Sequence, residues 1–337
     1  MVYCPVLHRA GAASMAELLI GVDLGGTQIR ALLVDGQGKA LNRASTLTRP
    51  DDGLEAIIRR IEDTVRRAVG NMPWGQIRGI GVGAPGPVDP WTGVVVGAPN
   101  LPGWQDVPLR DIMAETFGLQ VCLGNDANLA ALAEHTYGAG VGVDHMIYMT
   151  ISTGIGGGII VNGELLLGAG GLAGEIGHQT LVDDGPLCGC GNRGHLESLA
   201  SGPAIARAAR EEVARGHGRH ILQLARGVAD AIDARIVAQA ASDGDPTAET
   251  IIRRAATYVG IGLANLCNIL NPELIILGGG VTRVGHLLFD TVRETVAERA
   301  MSGARQVRIV PAALADDVVL LGAVALIETA GMEGRNP

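Results

Sequence analysis

Asp23-Leu24-Gly25-Gly26-Thr27 joins two apolar stretches through a pair of glycines. With no Cβ in the way, phosphate oxygens can approach the backbone N–H groups of such a turn. Asp23 would then orient a Mg²⁺ through its water shell, the mode that ion prefers, and Thr27 would hydrogen-bond a phosphate. The same residues also suit an ordinary hairpin with an exposed carboxylate. They do not form a Walker loop, which ends in Gly-Lys-Ser/Thr. Thr153-Gly154-Ile155-Gly156-Gly157-Gly158 repeats the pattern about 130 residues later. Two such turns facing each other would clasp a triphosphate. A third cluster, Gly278-Gly279-Gly280, follows another apolar strand, where a base or ribose can lie flat on backbone. One glycine cluster is weak evidence; three in these positions point to a nucleotide.

Asn125-Asp126-Ala127-Asn128 stands where a strand ends and a helix begins. Asp126 is therefore anchored on rigid elements and is the candidate general base, able to take a hydroxyl proton as a phosphoryl group arrives. The competing reading is a simple helix N-cap, a position that favours Asn and Asp. Glu175-Ile176-Gly177-His178 and Glu197 supply further polar groups in glycine-rich surroundings, where carboxylates suit the vicinal hydroxyls of a sugar or else remain solvated. His178, Cys188, Cys190 and His195 form His-x9-Cys-x-Cys-x4-His, with Gly189, Gly191 and Gly194 letting the knuckle bend. Four N/S ligands in a short segment match a closed, structural Zn²⁺ site. That metal would fix the loop presenting Glu175 and Glu197. Cys4, Cys122 and Cys267 are isolated and read as unpaired.

The elements that must carry these residues follow from the apolar pattern. Leu18–Leu24, Ile29–Val34 and Ala40–Thr48 read as strands, and Asp51–Val69 as a helix with Leu54, Ile57, Ile58, Ile61 and Val65 on one face. Ile77–Val82 enters Ala84-Pro85-Gly86-Pro87, and Pro99-Asn100-Leu101-Pro102-Gly103-Trp104 reads as loop. Leu119–Leu123 delivers Asn125 to a helix over Ala127–Tyr137. His145–Ser152 and Ile159–Asn162 flank the second glycine turn. Leu274–Leu277 runs into the third, a helix begins at Val281, and Val307–Val310 and Val318–Ala330 close the chain.

The 337 residues are 47% hydrophobic but only 3% aromatic, so the core must be aliphatic. Fifty glycines are about twice the usual share. A net charge of −9 and no Lys/Arg-rich run argue against nucleic acid as a partner. No apolar stretch approaches the ~20 residues of a membrane span. The cysteine pattern fits reducing cytosol rather than a secreted framework, and Met15 is an alternative start.

Together these motifs resemble the ROK family of sugar kinases and repressors, within the actin-like (ribonuclease H-like) ATPase superfamily, over roughly Leu18 to Ala330. Asp23–Thr27 is similar to the family's first phosphate turn, Thr153–Gly158 to its second and Gly278–Gly280 to its adenosine-side motif. The resemblance implies an α/β fold of two lobes, with ATP, Mg²⁺ and a hexose in the interlobe cleft and a zinc-stabilised loop. It implies Asp23, Gly25, Gly26, Thr27, Thr153, Gly154, Gly156, Gly279 and Gly280 on the nucleotide. Asp126 would be the base, and Gly86, Asn100, Asn125, Asp126, Glu175, His178 and Glu197 would hold the sugar. His178 would also bind zinc. One position departs from the family pattern: His195 stands where a third zinc cysteine is usual.

The expected layout is an extension over 1–17, a small lobe over 18–123 rejoined by a helix at 317–331, and a large lobe over 124–316 carrying the zinc motif at 178–195. The expected activity is that of a cytoplasmic ATP-dependent hexose 6-kinase. Glucose is preferred because Pro99-Asn100-Leu101-x-Gly103-Trp104 resembles glucokinase members. N-acetylmannosamine, mannose and fructose, and polyphosphate as donor, stay open. A homodimer or homotetramer is expected. The other class of reading is a sugar-sensing transcriptional regulator, against which stands the short stretch of about 17 residues before the first strand.

Overall fold

The computed structural model describes residues 18–333 apart from Pro99. The expectations for Cys4, Met15 and the segment 1–17 lie outside the described residues. Contacts divide the chain into two compact units, one of residues up to 141, 165–173 and from 316 onward, the other of 142–164 and 174–315.

In the first unit, β1 (Leu18–Leu24) turns through its two glycines into antiparallel β2 (Gln28–Val34), with Leu24 opposite Ile29. β3 (Ala40–Leu47) pairs with β2, and α1 (Leu54–Val69) covers the sheet with Ile57, Ile61 and Val65, as its 3.6-residue period requires. β4 (Ile77–Ala84) joins β1 in parallel. A small antiparallel sheet of β5 (Val88–Asp89), β6 (Val94–Gly97) and β7 (Gln105–Val107), which the sequence reading did not include, flanks the segment read as loop. α2 (Leu109–Phe117) leads to β8 (Gln120–Asn125), parallel to β4, and then to α3 (Asp126–Tyr137). The sheet order is β3-β2-β1-β4-β8.

The second unit repeats that layout. β9 (Met146–Ile151) and β10 (Ile155–Val161) form an antiparallel hairpin, extended by the short β11 (Glu164–Leu165). Helices follow: α4 (Leu196–Ala200), α5 (Gly202–Ala214), α6 (Arg219–Leu224), α7 (Ala234–Ser242) and α8 (Pro246–Leu270). Asp245 caps α8 by accepting the Ala248 N–H, Pro246 follows at its first position, and Asn271 ends it in the left-handed region. β12 (Leu274–Gly278), α9 (His286–Arg299) and β13 (Arg308–Pro311) complete a sheet of order β11-β10-β9-β12-β13.

Three boundaries differ from the sequence reading. Gly156, Gly157 and Gly158 are not in a turn but inside β10, paired with Thr150, Met149 and Tyr148. The turn itself is only Ser152–Gly154. No α-helix starts at Val281; a short 3₁₀ segment, Gly280–Val284, precedes α9. α3 belongs to the first unit, beyond the boundary at 123, because it packs on α10 (Val318–Glu333). Cys122, buried in β8, is not a free thiol, which corrects the expectation that it is unpaired. Among the described residues no helix is long and apolar enough to cross a membrane.

Glycines set the layer spacing in the first unit. A Cβ at Gly81 in β4 would lie 1.8 Å from the Ala323 carbonyl oxygen of α10, and one at Gly21 in β1 would lie 2.2 Å from that of Leu320. A Cβ at Gly322 would lie 1.9 Å from the Leu129 oxygen of α3. No side chain fits at any of these three places. Gly81→Ala is therefore expected to lower stability at the upper end of the ~1–3 kcal/mol range for overpacking, read as a shifted urea midpoint.

Candidate active site

β8 and α3 position Asp126, and their junction settles which residue is the cap. Asn125 Oδ1 accepts the N–H groups of Ala127 (2.9 Å) and Asn128 (3.3 Å), while its Nδ2 donates to the Gly86 carbonyl at 3.0 Å. Capping thus falls to Asn125, and Asp126 is the first residue of the helix, half-buried. Asn125 also ties the Gly86 loop to the helix start, a bracing role that its expected contact with sugar did not include. Gly86 has φ of 81°, and a Cβ there would sit 2.1 Å from the Gly97 oxygen. Only glycine fits that close approach in the left-handed region.

The first turn is held from beneath. Gly25 N–H donates to the Gln28 carbonyl at 2.9 Å, and the fully buried Thr48 donates its hydroxyl to the Gly25 carbonyl at 2.6 Å. Thr48 N–H donates in turn to the Thr27 carbonyl at 2.9 Å. Thr27 itself is exposed, and a Cβ on Gly26 would lie 3.3 Å from the Cβ of Asn100. The turn expected to hold phosphate and a residue expected to hold sugar are therefore neighbours. Asn100 sits in the connection between β6 and β7, closed by Leu101 N–H on Ala98 and Trp104 N–H on Leu101. Asp23 is not exposed at the turn: it is 8% accessible, and its Oδ2 receives both Nε and Nη2 of Arg30. Burial pushes the Asp23 carboxyl above its ordinary value, against the pull of that guanidinium.

In the second unit, Ser152 and Thr153 of the short turn share a cavity of about 670 Å³ with Gly280, Arg210, Gln239 and Arg283. Thr153 of the second cluster and Gly280 of the third thus line one cavity. Gly279, with φ of 87°, lies where a Cβ would be 2.4 Å from the Ile151 oxygen, so β12 ends tight against β9. Arg210 keeps its Nε buried and without a protein partner. Nothing local in the sequence marks the contributions of α5 and α7, because their residues reach this wall only through helix packing.

His178, Cys188, Cys190 and His195 come together, their ligand atoms all within 4.8 Å of one another. The two Nδ1 atoms are 3.2 Å apart, Cys190 Sγ is 3.3 Å from His195 Nδ1, and Cys188 Sγ is 3.7 Å from His178 Nδ1. Tetrahedral Zn²⁺ at ordinary bond lengths separates ligands by roughly 3.3 Å for N···N and 3.6 Å for N···S, so the donors fit. Glu175 Oε2 lies 3.7 Å from His178 Nε2, behind the ring nitrogen that faces away from the cluster. Gly177 lets this segment reach β10, since a Cβ would be 1.9 Å from the Ile155 oxygen. Gly194, at φ 66°, would place a Cβ 1.5 Å from the Val182 oxygen. Glu197 Oε2 accepts the Ile155 N–H at 2.9 Å.

Burial, with Cys190 and Glu197 alongside, pushes the Cys188 thiol up to about 11. Metal binding must therefore displace protons, and acid must release the metal. Zinc measured after dialysis is expected near one equivalent at neutral pH and largely lost by about pH 5. His195→Cys is expected to retain it and His195→Ala to lose it.

Residues 19–330 match the ROK family. The glucokinase of Thermotoga maritima is 39% identical over 313 residues, 92% of this chain and 97% of that protein. A xylose repressor of Caldicellulosiruptor bescii is 35% identical over 92% of this chain and 77% of its own length. Among solved structures, a ROK family glucokinase from Streptomyces griseus in complex with glucose and AMPPNP aligns with a TM-score of 0.80 at 37% identity, covering 93% of this chain and 99% of that one.

Proposed function

The chain belongs to the ROK family and is a sugar kinase of the glucokinase type, and from that premise we propose that it transfers the γ-phosphoryl group of ATP to the 6-hydroxyl of glucose. The observation that carries this reading is Asp126 at the first position of α3, its Oδ1 sharing the Ala127 N–H with the Asn125 cap, in the same unit as the Gly25–Gly26 turn with Asn100 against it.

In this reading Asp126 accepts the proton of the 6-hydroxyl as that oxygen bonds to the γ-phosphorus. The bond from phosphorus to the β–γ bridging oxygen breaks, and ADP leaves. The N–H groups of Gly26 and Thr27, in a turn that Gly25 closes onto Gln28, are the phosphate donors of the first unit, and those of Thr153 and Gly154 are the phosphate donors of the second. The cavity lined by Gly280 takes the adenosine, with Arg210 on its wall and Gly279 at the end of β12 beside it. Gly156, inside β10, supports its turn rather than touching phosphate. Gly86 and Asn100, with Asn125 bracing Gly86, are the candidates of the first unit for sugar hydroxyls, and Glu175, His178 and Glu197 are those of the second. Mg²⁺ would enter with the nucleotide and neutralise charge on its phosphates; Asp23, paired with Arg30, stands at the end of β1 to order its water shell. Zn²⁺ on His178, Cys188, Cys190 and His195 would be structural, since all four positions are protein ligands. The reading places the enzyme in the cytoplasm.

Asp126→Asn is expected to lower kcat by at least ~10²-fold while leaving glucose affinity, measured by calorimetry, near the parent value. Near-normal turnover in that variant would remove Asp126 from the role. A coupled ADP-release assay with glucose, mannose, fructose, N-acetylglucosamine and N-acetylmannosamine tests the substrate, with glucose expected to give the largest kcat/KM. Sugar binding without turnover on any of them would favour the sensor branch represented by the xylose repressors.

A further inference from the structure

Glu197 was singled out for sugar hydroxyls, yet its carboxylate is engaged on two other sides. Oε2 accepts the N–H of Ile155, the residue that leads from the Ser152–Gly154 turn into β10, at 2.9 Å. Oε1 lies 3.6 Å from Cys188 Sγ, one of the four metal ligands. Gly154 is what allows this: a Cβ there would stand 2.5 Å from Glu197 Oε2. On the other side of the turn, Gly202 N–H donates to the Ser152 carbonyl at 2.8 Å. The segment of α4 and the start of α5 therefore grips the turn at both ends, once through a backbone bond and once through a charged side chain.

We propose that Glu197 is a positioning residue for the donor-phosphate turn, and that it couples the Cys/His metal site to nucleotide binding. The inference rests on reading Ser152–Gly154 as a phosphate turn. A hydrogen bond to a carboxylate is stronger than one between neutral groups. Ile155 is only 3% exposed, so losing the acceptor would leave its N–H buried and unpaired. The turn would then relax, and its own N–H groups would no longer converge on phosphate. The coupling to the metal is one of contact. Cys188 Sγ lies against Glu197 Oε1, so the position a metal imposes on that sulfur is passed to the carboxylate that holds Ile155.

Two measurements on the zinc-loaded protein test this. In the first, ADP·Mg²⁺ is titrated calorimetrically without sugar. Glu197→Ala is expected to weaken ADP about tenfold, and Glu197→Gln, whose amide oxygen can still accept the Ile155 N–H, to keep most of the affinity. In the second, zinc release to a chromophoric chelator is timed with and without ADP. Because coupling between sites is reciprocal, ADP is expected to slow release in the parent protein and to have no effect in Glu197→Ala. Where Glu197→Ala does not fold, Gly154→Ala keeps the carboxylate but displaces it. Zinc release should then be faster than in the parent, which a change confined to the turn would not produce. ADP affinity unchanged in the variants, or zinc release insensitive to ADP that is bound, overturns the proposal. Failure of the parent protein to bind ADP would instead overturn the kinase reading on which it stands.

Discussion

Backbone meets backbone where β1 and β4 pass under α10, and again where α10 passes α3. At Gly21, Gly81 and Gly322 there is no room for a single methyl group, the carbonyl oxygens of Leu320, Ala323 and Leu129 occupying the space. Everything in the first unit that bears on chemistry inherits its position from that spacing. β1 ends at the Gly25–Gly26 turn, β4 ends at the Gly86 loop, and α3 begins at Asp126. A core of Ala, Val, Leu and Ile with few aromatics is what such close layers can accommodate, since thin layers have no space for large rings.

The second unit applies the same rule to a different end. Its hairpin shares the layout of the first, but the glycines of β10 serve the segment that follows. Gly157 would collide with Ile176, and Gly177 with the Ile155 carbonyl, if either carried a side chain. That contact brings the Cys/His cluster and Glu197 against the Ser152–Gly154 turn. A metal site confined to a surface loop would stabilise only the loop. Here the cluster lies beside Glu197, which holds the Ser152–Gly154 turn through the Ile155 N–H.

Polar side chains in both units act mainly on backbone. Asn125 satisfies two N–H groups and one carbonyl, Thr48 holds the first turn through Gly25, and Glu197 holds the second through Ile155. Each fixes the backbone of a neighbouring segment. This is how a rigid scaffold can place weakly specific groups, such as peptide N–H donors, with enough precision to favour a transition state.

Much of this was readable from residue order. The strands flanking each turn, the amphipathic α1 and the four metal ligands are local patterns, set by alternation, helical period and short spacings that no distant contact needs to confirm. The choice between Asn125 and Asp126 as cap was not readable, because both are good caps and only the position of Gly86 decides between them. Gly156–Gly158 looked like turn because glycine runs usually are. In the fold they are strand, since Met149 and Tyr148 supply partners across the hairpin. Thr48 under Gly25, Arg210 on the cavity wall and Glu197 on Ile155 are pairings between separate segments of the chain, whereas Arg30 on Asp23 follows from the register of the first hairpin. A side chain's type limits what it can bond; which bond it makes is decided by the groups that folding brings within about 3 Å of it.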